Sequence, residues 1–163
     1  MSRFERWMVN LSTVITGLSG IVYAIMKYLM LSDDPFSVIN HPWQPAMLSL
    51  HVLAGPVMIF GLGLIAQDHI WAQMRRQTIS QGRGTGIMAL ACVLPMVATG
   101  YLIQVASGEP WRKASVVIHL ITGGLYLVAF AAHLHVAWRM TGRLPSPPPD
   151  PERVARSPLA RDN

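Results

Sequence analysis

Residues 114–138, ASVVIHLITGGLYLVAFAAHLHVAW, contain no Asp, Glu, Lys or Arg between the flanking Lys113 and Arg139. Three more charge-poor windows of similar character occur earlier in the chain, at 7–26, 35–67 and 84–108. About 20 mostly apolar residues suffice to cross the hydrocarbon core of a bilayer as a helix. None of the windows shows the two-residue alternation of a barrel strand. The sequence therefore predicts an all-α fold, an up-down bundle of four transmembrane helices at about 7–31, 46–70, 85–107 and 114–140.

The overall composition supports a membrane protein. Only 13% of the residues are charged while 52% are apolar, whereas about a quarter are charged in an ordinary soluble domain. A soluble cytosolic enzyme is therefore not expected.

The single cysteine, Cys92, excludes a disulfide framework, a thiolate zinc site and a cysteine-ligated iron–sulfur cluster.

The chain divides into a membrane domain, 1–142, and a proline-rich tail, 143–163. The tail reads RLPSPPPDPERVARSPLARDN, a composition that cannot bury a packed core. We expect this tail to be cytoplasmic and disordered.

The arginines predict the orientation in the membrane. Ten lie on one side of the predicted bundle: Arg3, Arg6, Arg75, Arg76, Arg83, Arg139, Arg143, Arg153, Arg156 and Arg161. The other side holds only Lys27, Arg112 and Lys113. The positive-inside rule predicts that both termini are cytoplasmic. Because topology explains the net charge of +5, no nucleic-acid partner is expected.

Histidine is the residue type that points to function. Of the six histidines, His41 lies in the first external loop, where we expect an ordinary loop residue, and the other five lie on the second and fourth predicted helices. A histidine inside a membrane span is costly unless it is paired or liganded. These five are therefore candidates for a functional site.

The histidine spacing predicts two facing pairs. At 100° per residue, the 18-residue step from His51 to His69 returns to the same helix face. The 14-residue step from His119 to His133 falls about 40° short of a full return. Both helices run from outside to inside, so His51 and His119 lie near the outer surface and His69 and His133 near the inner one. His135 points away from the bundle, and we retain it as the alternative inner ligand.

Two imidazoles at each depth favour haem over zinc. A structural zinc site needs four protein ligands, but haem iron needs only two axial ligands. We therefore expect two haem b cofactors, an outer one on His51 and His119 and an inner one on His69 and His133. Gly55 and Gly123, each one turn after a histidine, are expected to make room for them. Further close approaches are expected at Gly17, Gly20 and Gly100.

Two details of this arrangement are also predicted. We expect the second ring nitrogen of each ligand to donate to a backbone carbonyl one turn back. The 18-residue step spans about 27 Å and the 14-residue step about 21 Å. Helix tilt or a kink at Pro56 must absorb the difference of about 6 Å for both pairs to be level.

Charged and polar groups near the helix ends suggest further contacts. We expect the propionate groups of the haems to pair with basic residues. The candidates for the outer haem are Lys27, Arg112 and Lys113, and those for the inner haem are Arg75, Arg76 and Arg139. Conceivable contributors to an external quinone site are His41, Gln44, Gln104 and Glu109. Ordinary interfacial charge is the alternative for the basic residues.

Two segments, SLHVLAGPVMIFGLGLIAQDHIWAQ (49–73) and VIHLITGGLYLVAFAAHLHVAW (117–138), resemble each other through H-x-x-x-G near the start and histidine near the end. Over about residues 3–140 the chain resembles small four-helix di-haem b-type membrane cytochromes, especially the flavinylation-associated cytochrome domain. More distantly it resembles the cytochrome b subunits of formate dehydrogenase, nickel–iron hydrogenase and quinol–cytochrome c oxidoreductase. The resemblance implies axial-ligand roles for His51, His69, His119 and His133. It also implies a place in the inner membrane of a bacterial cell. The 18-residue step departs from the 14-residue spacing of the last group.

The expected function is transmembrane electron transfer, by an electron-transfer protein or oxidoreductase subunit and not a stand-alone enzyme. One alternative is a haem-bearing membrane anchor of a larger quinone-linked oxidoreductase, with other redox subunits or quinone as partners in a hetero-oligomer. A second alternative is a metal-ion or proton carrier that uses the histidines without haem.

Overall fold

The computed structural model describes residues 2–32, 34, 36–75 and 82–141. The predicted tail, 143–163, and Arg76 lie outside these described residues. Every regular element in them is helical, and four helices are long and apolar enough to cross a membrane. The elements are α1 (Arg3–Tyr28), α2 (Gln44–Leu64), a π-helix (Ala66–Trp71), α3 (Ala72–Arg75), α4 (Arg83–Val105) and α5 (Glu109–Thr141). The predicted all-α, four-helix fold is confirmed.

Helix α1 begins four residues before the predicted start because a capping box closes its first turn. The backbone N–H of Glu5 donates to Ser2 Oγ (3.1 Å), and that of Ser2 donates to Glu5 Oε2 (2.7 Å). These two bonds satisfy free N–H groups of the helix start without any apolar side chain. A prediction from hydropathy alone therefore places the start of α1 too late in the chain.

The second predicted helix, 46–70, changes its hydrogen-bonding pattern near its C-terminal end. The carbonyl oxygen of Ile65 accepts from the N–H groups of both His69 (3.0 Å) and Ile70 (3.2 Å), which marks the entry into the π-helix. A π-turn has more residues per turn than an α-turn, and such turns are frequent at functional sites. His69 therefore lies in π-helical and not in α-helical backbone.

The four long helices form two antiparallel hairpins, α1 with α2 and α4 with α5, and most close backbone contacts lie within these hairpins. In the first hairpin, a Cβ atom at Gly61 would lie only 3.5 Å from Val9 Cα. Between the hairpins, side chains make the contact: Thr13 Oγ1 of α1 lies 3.2 Å from Tyr126 Oη of α5. The up-down order places Arg3, Arg75, Arg83 and Arg139 at one end of the bundle.

The buried core lies at mid-height in the bundle. Its buried members come from α2, α4 and α5: Met58, Ala89, Cys92, Met96, Tyr126 and Ala129. Tyr126 is midway in sequence between His119 and His133, and Met58 follows His51 by two turns. The core therefore separates the two levels at which histidines occur.

Candidate functional site: two facing histidine pairs

The structure brings four histidines together as two pairs across α2 and α5. The ring centroids of His51 and His119 lie 6.0 Å apart with an interplanar angle of 87°. Those of His69 and His133 also lie 6.0 Å apart, at 71°. His135 is exposed on α5. The inner partner of His69 is therefore His133.

His51 and His119, the predicted outer pair, are held by backbone carbonyls of neighbouring helices. Nδ1 of His51 donates to the carbonyl oxygen of Thr16 on α1, and Nδ1 of His119 donates to that of Met96 on α4, each at 2.8 Å. A carbonyl oxygen only accepts, so Nδ1 carries the ring proton. The lone pair is then on Nε2, the nitrogen available to a metal ion.

His133 of the inner pair is held in the same way. Its Nδ1 lies 3.1 Å from the carbonyl oxygen of Gly82, the residue that caps the start of α4. The prediction that each ligand bonds a carbonyl one turn back is wrong for His51, His119 and His133. Carbonyls within a helix already accept from the N–H four residues on, whereas these rings extend sideways onto an adjacent helix.

A glycine lies against the ring of each of these three histidines. A Cβ atom at Gly20 would lie 2.7 Å from Cε1 of His51. The corresponding distance is 3.2 Å from Gly100 to His119 and from Gly86 to His133. In all three cases the glycine follows the accepting carbonyl by four residues, one helical turn. Each ring can reach its carbonyl because the residue one turn further along that helix is a glycine, which has no side chain to block the ring.

The other predicted glycines differ in their surroundings. No atom lies within 4 Å of a Cβ position at Gly55, so the surface one turn after His51 is open. At Gly123 the nearest atom is Met96 Sδ, at 3.8 Å, so this glycine faces α4. A Cβ atom at Gly17 would meet Leu127 Cδ2 at 2.7 Å, which identifies a packing contact between the hairpins.

Sequence reasoning missed the α4 residues that support the histidines. Among them are Gly82, Thr85, Gly86, Met96 and Thr99. Ser-Gly or Thr-Gly dipeptides also occur at 16–17, 107–108, 122–123 and 141–142, so only a weak signal was present in those at 19–20, 85–86 and 99–100. The last two are 14 residues apart, the same step that separates His119 from His133. Because α4 and α5 are antiparallel, the 14-residue step on α4 and the 14-residue step on α5 cover the same height in opposite directions. The supporting residues of α4 therefore stay level with the rings on α5.

The geometry of both pairs fits a metal held between two imidazoles. An imidazole nitrogen binds a metal ion at about 2 Å, so two rings on opposite sides of one ion have centroids about 6 Å apart. Among the described residues, no group of three or more His, Cys, Asp or Glu side chains converges on one point. Two histidines per level are the number that haem iron needs, since the porphyrin supplies the remaining four ligands.

Several residues considered for propionate or quinone contacts have local hydrogen-bond or ion-pair partners. Lys27 Nζ donates to the carbonyl oxygen of Val38 (3.1 Å), and Lys113 pairs with Glu109 (2.7 Å). Three of the suggested quinone contacts likewise bond within their own segments: His41 to Trp43, Gln44 to Asn40 and Gln104 to Gly100. Of the basic candidates, Arg112 and Arg139 are exposed.

An open pocket of about 480 Å³ lies beside the π-helix. It is lined by Gln67, Asp68, Trp71 and Arg75. Arg75, one of the predicted inner propionate partners, therefore lies next to the segment that carries His69.

Comparison with known proteins identifies no relative: no protein family, curated protein or solved structure matches the chain.

Proposed function

We propose that this protein transfers electrons across a membrane through two b-type haems. His51 and His119 would hold the outer haem, and His69 and His133 the inner one. The observation that carries the proposal is the equal 6.0 Å separation of the two histidine pairs. Its support comes from the Nδ1 protons of three of these rings, which are directed to carbonyl groups and leave Nε2 for iron.

Bound haem would supply a reversible one-electron change of its iron, and two histidine ligands for each haem would favour electron transfer over oxygen chemistry. The residues of the chain provide the ligand set and its orientation. The carbonyl oxygens of Thr16 and Met96 fix the rings of the outer pair. Such second partners orient metal-binding histidines and raise their basicity.

The buried core also supports a conduit with two separate levels. Met58 and Tyr126 are each only 3% exposed and lie between the histidine levels along α2 and α5. Packed side chains there exclude water and hold the two ligand pairs at a constant separation. Four membrane-spanning helices are consistent with one pair near each face.

We further propose that both termini are cytoplasmic and that the membrane is the bacterial inner membrane. The arginine-bearing helix ends lie at one end of the bundle, and an excess of arginine marks the cytoplasmic side. A conduit of this kind needs a donor and an acceptor. The expected partners are therefore other redox subunits, in a hetero-oligomer, or quinone.

A dithionite-reduced minus oxidised spectrum of the purified protein, with pyridine haemochrome quantification, tests the proposal. We expect two b-type haems per chain. His119→Ala should remove one haem, whereas His41→Ala in the external loop should retain both. Protein expressed with ample haem that binds none would reject the proposal and favour the haem-free histidine carrier.

A further inference from the structure

Two threonine hydroxyls of α4 lie beside the histidine nitrogens that face away from the proposed iron sites. Thr99 Oγ1 lies 3.5 Å from Nδ1 of His119, and Thr85 Oγ1 lies 3.3 Å from Nδ1 of His133. Each threonine directly precedes the glycine that contacts the same ring. Each ring therefore meets a carbonyl, a hydroxyl and a glycine from one turn of α4.

The direction of each hydroxyl follows from its other hydrogen bonds. Thr99 Oγ1 donates to the carbonyl oxygen of Pro95 (2.6 Å), and Thr85 Oγ1 donates to that of Gly82 (2.8 Å). A hydroxyl has one hydrogen and two lone pairs. Because the hydrogen is used within α4, only a lone pair can face the ring, and the Nδ1 proton of each histidine meets two acceptors.

We propose that Thr85 and Thr99 are positioning residues that set the basicity of His133 and His119, and thereby the redox potential at each level. This inference rests on the proposed function. A second acceptor on Nδ1–H draws its proton away from the ring and makes Nε2 a stronger electron donor. A stronger donor stabilises ferric iron over ferrous iron, so each hydroxyl lowers the potential of the haem its histidine holds.

The repetition of this arrangement supports a role beyond local helix packing. Thr99 and Thr85 are 14 residues apart on α4, as are His119 and His133 on the antiparallel α5. A third hydroxyl, Ser19 Oγ on α1, donates to the carbonyl oxygen of Ile15 (2.7 Å) and lies 3.1 Å from that of Thr16, which accepts from His51. A hydroxyl therefore lies beside the carbonyl that accepts from His51, from His119 and from His133.

Equilibrium redox titration of the purified haem-loaded protein tests the inference, with Thr99→Val and Thr85→Val as the test variants. Valine has nearly the shape of threonine but lacks the hydroxyl. We expect Thr99→Val to raise the potential of one of the two one-electron components and Thr85→Val to raise the other. The double variant should raise both.

Thr122→Val is the matched control. Thr122 also precedes a glycine, Gly123, but the partners of its hydroxyl are the backbone carbonyls of Ile118 (2.7 Å) and His119 (3.4 Å) and not a ring nitrogen. This variant should leave both potentials unchanged. Low-temperature electron paramagnetic resonance gives a second readout, since the g-values of ferric iron report the axial ligand field.

Serine variants separate the hydroxyl from the shape of the side chain. If Thr99→Val or Thr85→Val binds no haem, the matching serine variant should restore binding with a potential near that of the natural protein. Serine variants that behave like the valine variants would overturn the inference. Unshifted potentials in both valine variants, with two haems bound, would overturn it and leave the proposed function intact. Natural protein without haem would overturn both.

Discussion

A Cβ atom at Gly20 would lie 2.7 Å from Cε1 and 2.8 Å from Nδ1 of His51. The imidazole of His51 therefore rests directly on the backbone of α1, where its Nδ1 donates to Thr16. No other residue type leaves this space free, because every other side chain begins with a Cβ atom. The glycine and the hydrogen bond together place the ring opposite His119.

Gly20→Ala should reduce haem binding at the outer level. The added methyl group displaces the His51 ring, which loses its carbonyl partner and its position opposite His119. We expect one haem per chain in place of two, measured as pyridine haemochrome. Gly63→Ala on α2 is the control, since no atom lies within 4 Å of its Cβ position. Two tightly bound haems in Gly20→Ala would show that the contact does not position His51.

Gly82→Ala should weaken the inner level. Gly82 has a φ of 90° and its carbonyl accepts from His133, and this backbone region costs other residues about 1–2 kcal/mol. The new Cβ atom would also lie 3.1 Å from Val136 Cγ1. We expect a lower thermal unfolding temperature in detergent and selective loss of the inner haem.

Gly84→Ala is the control for that variant, because no atom lies within 4 Å of its Cβ position near the start of the same helix. Alanine in a helix is favoured over glycine by about 1 kcal/mol, so this variant should be at least as stable as the natural protein. Equal haem loss in both variants would contradict a specific role for Gly82.

His69→Ala and His135→Ala should differ sharply. His69 faces His133 at 6.0 Å, whereas His135 is exposed on α5. We expect His69→Ala to lose the inner haem and His135→Ala to retain both, as measured by haem content and the reduced-minus-oxidised spectrum. Loss of a haem from His135→Ala would reverse the assignment of the inner ligand.

Tyr126→Phe should destabilise the association of the two hairpins without changing haem content. Tyr126 Oη lies 3.2 Å from Thr13 Oγ1, and Thr13 is only 1% exposed. Removing one partner leaves a buried hydroxyl unsatisfied, at a cost of about 1–3 kcal/mol. Thermal unfolding in detergent measures the loss.

Thr13→Val and the double variant with Tyr126→Phe complete this experiment. Because the double variant leaves neither hydroxyl unpaired, its destabilisation should be smaller than the sum of the single effects. Simple additivity of the two changes would mean that the hydroxyl contact contributes no coupling between the hairpins.

The fold was predictable from the windows without charge, since a bilayer of fixed thickness accepts few alternatives to a long apolar helix. The ends were less predictable because they depend on hydrogen bonds such as that between Ser2 and Glu5. The π-helix around His69 also went unpredicted. Its formation depends on whether Ile65 accepts from the fourth or the fifth residue after it, a choice that hydropathy does not record.

The pairing partners were implied by helix periodicity, because His51 and His69 return to one face of their predicted helix and His119 and His133 nearly do so on theirs. Two parallel helices that face each other bring such residues together even though the 18-residue and 14-residue steps differ. The hydrogen bonds that hold the rings were not predictable, because the spacing of side chains on α2 and α5 contains no information about backbone carbonyls on α1 and α4. The acceptors on Thr16, Met96 and Gly82 are main-chain carbonyl oxygens, which every residue type has, so the residue types do not identify them. Only the packing of each hairpin decides which carbonyl lies within 2.8–3.1 Å of an imidazole, because that distance depends on how closely glycine lets two helices approach.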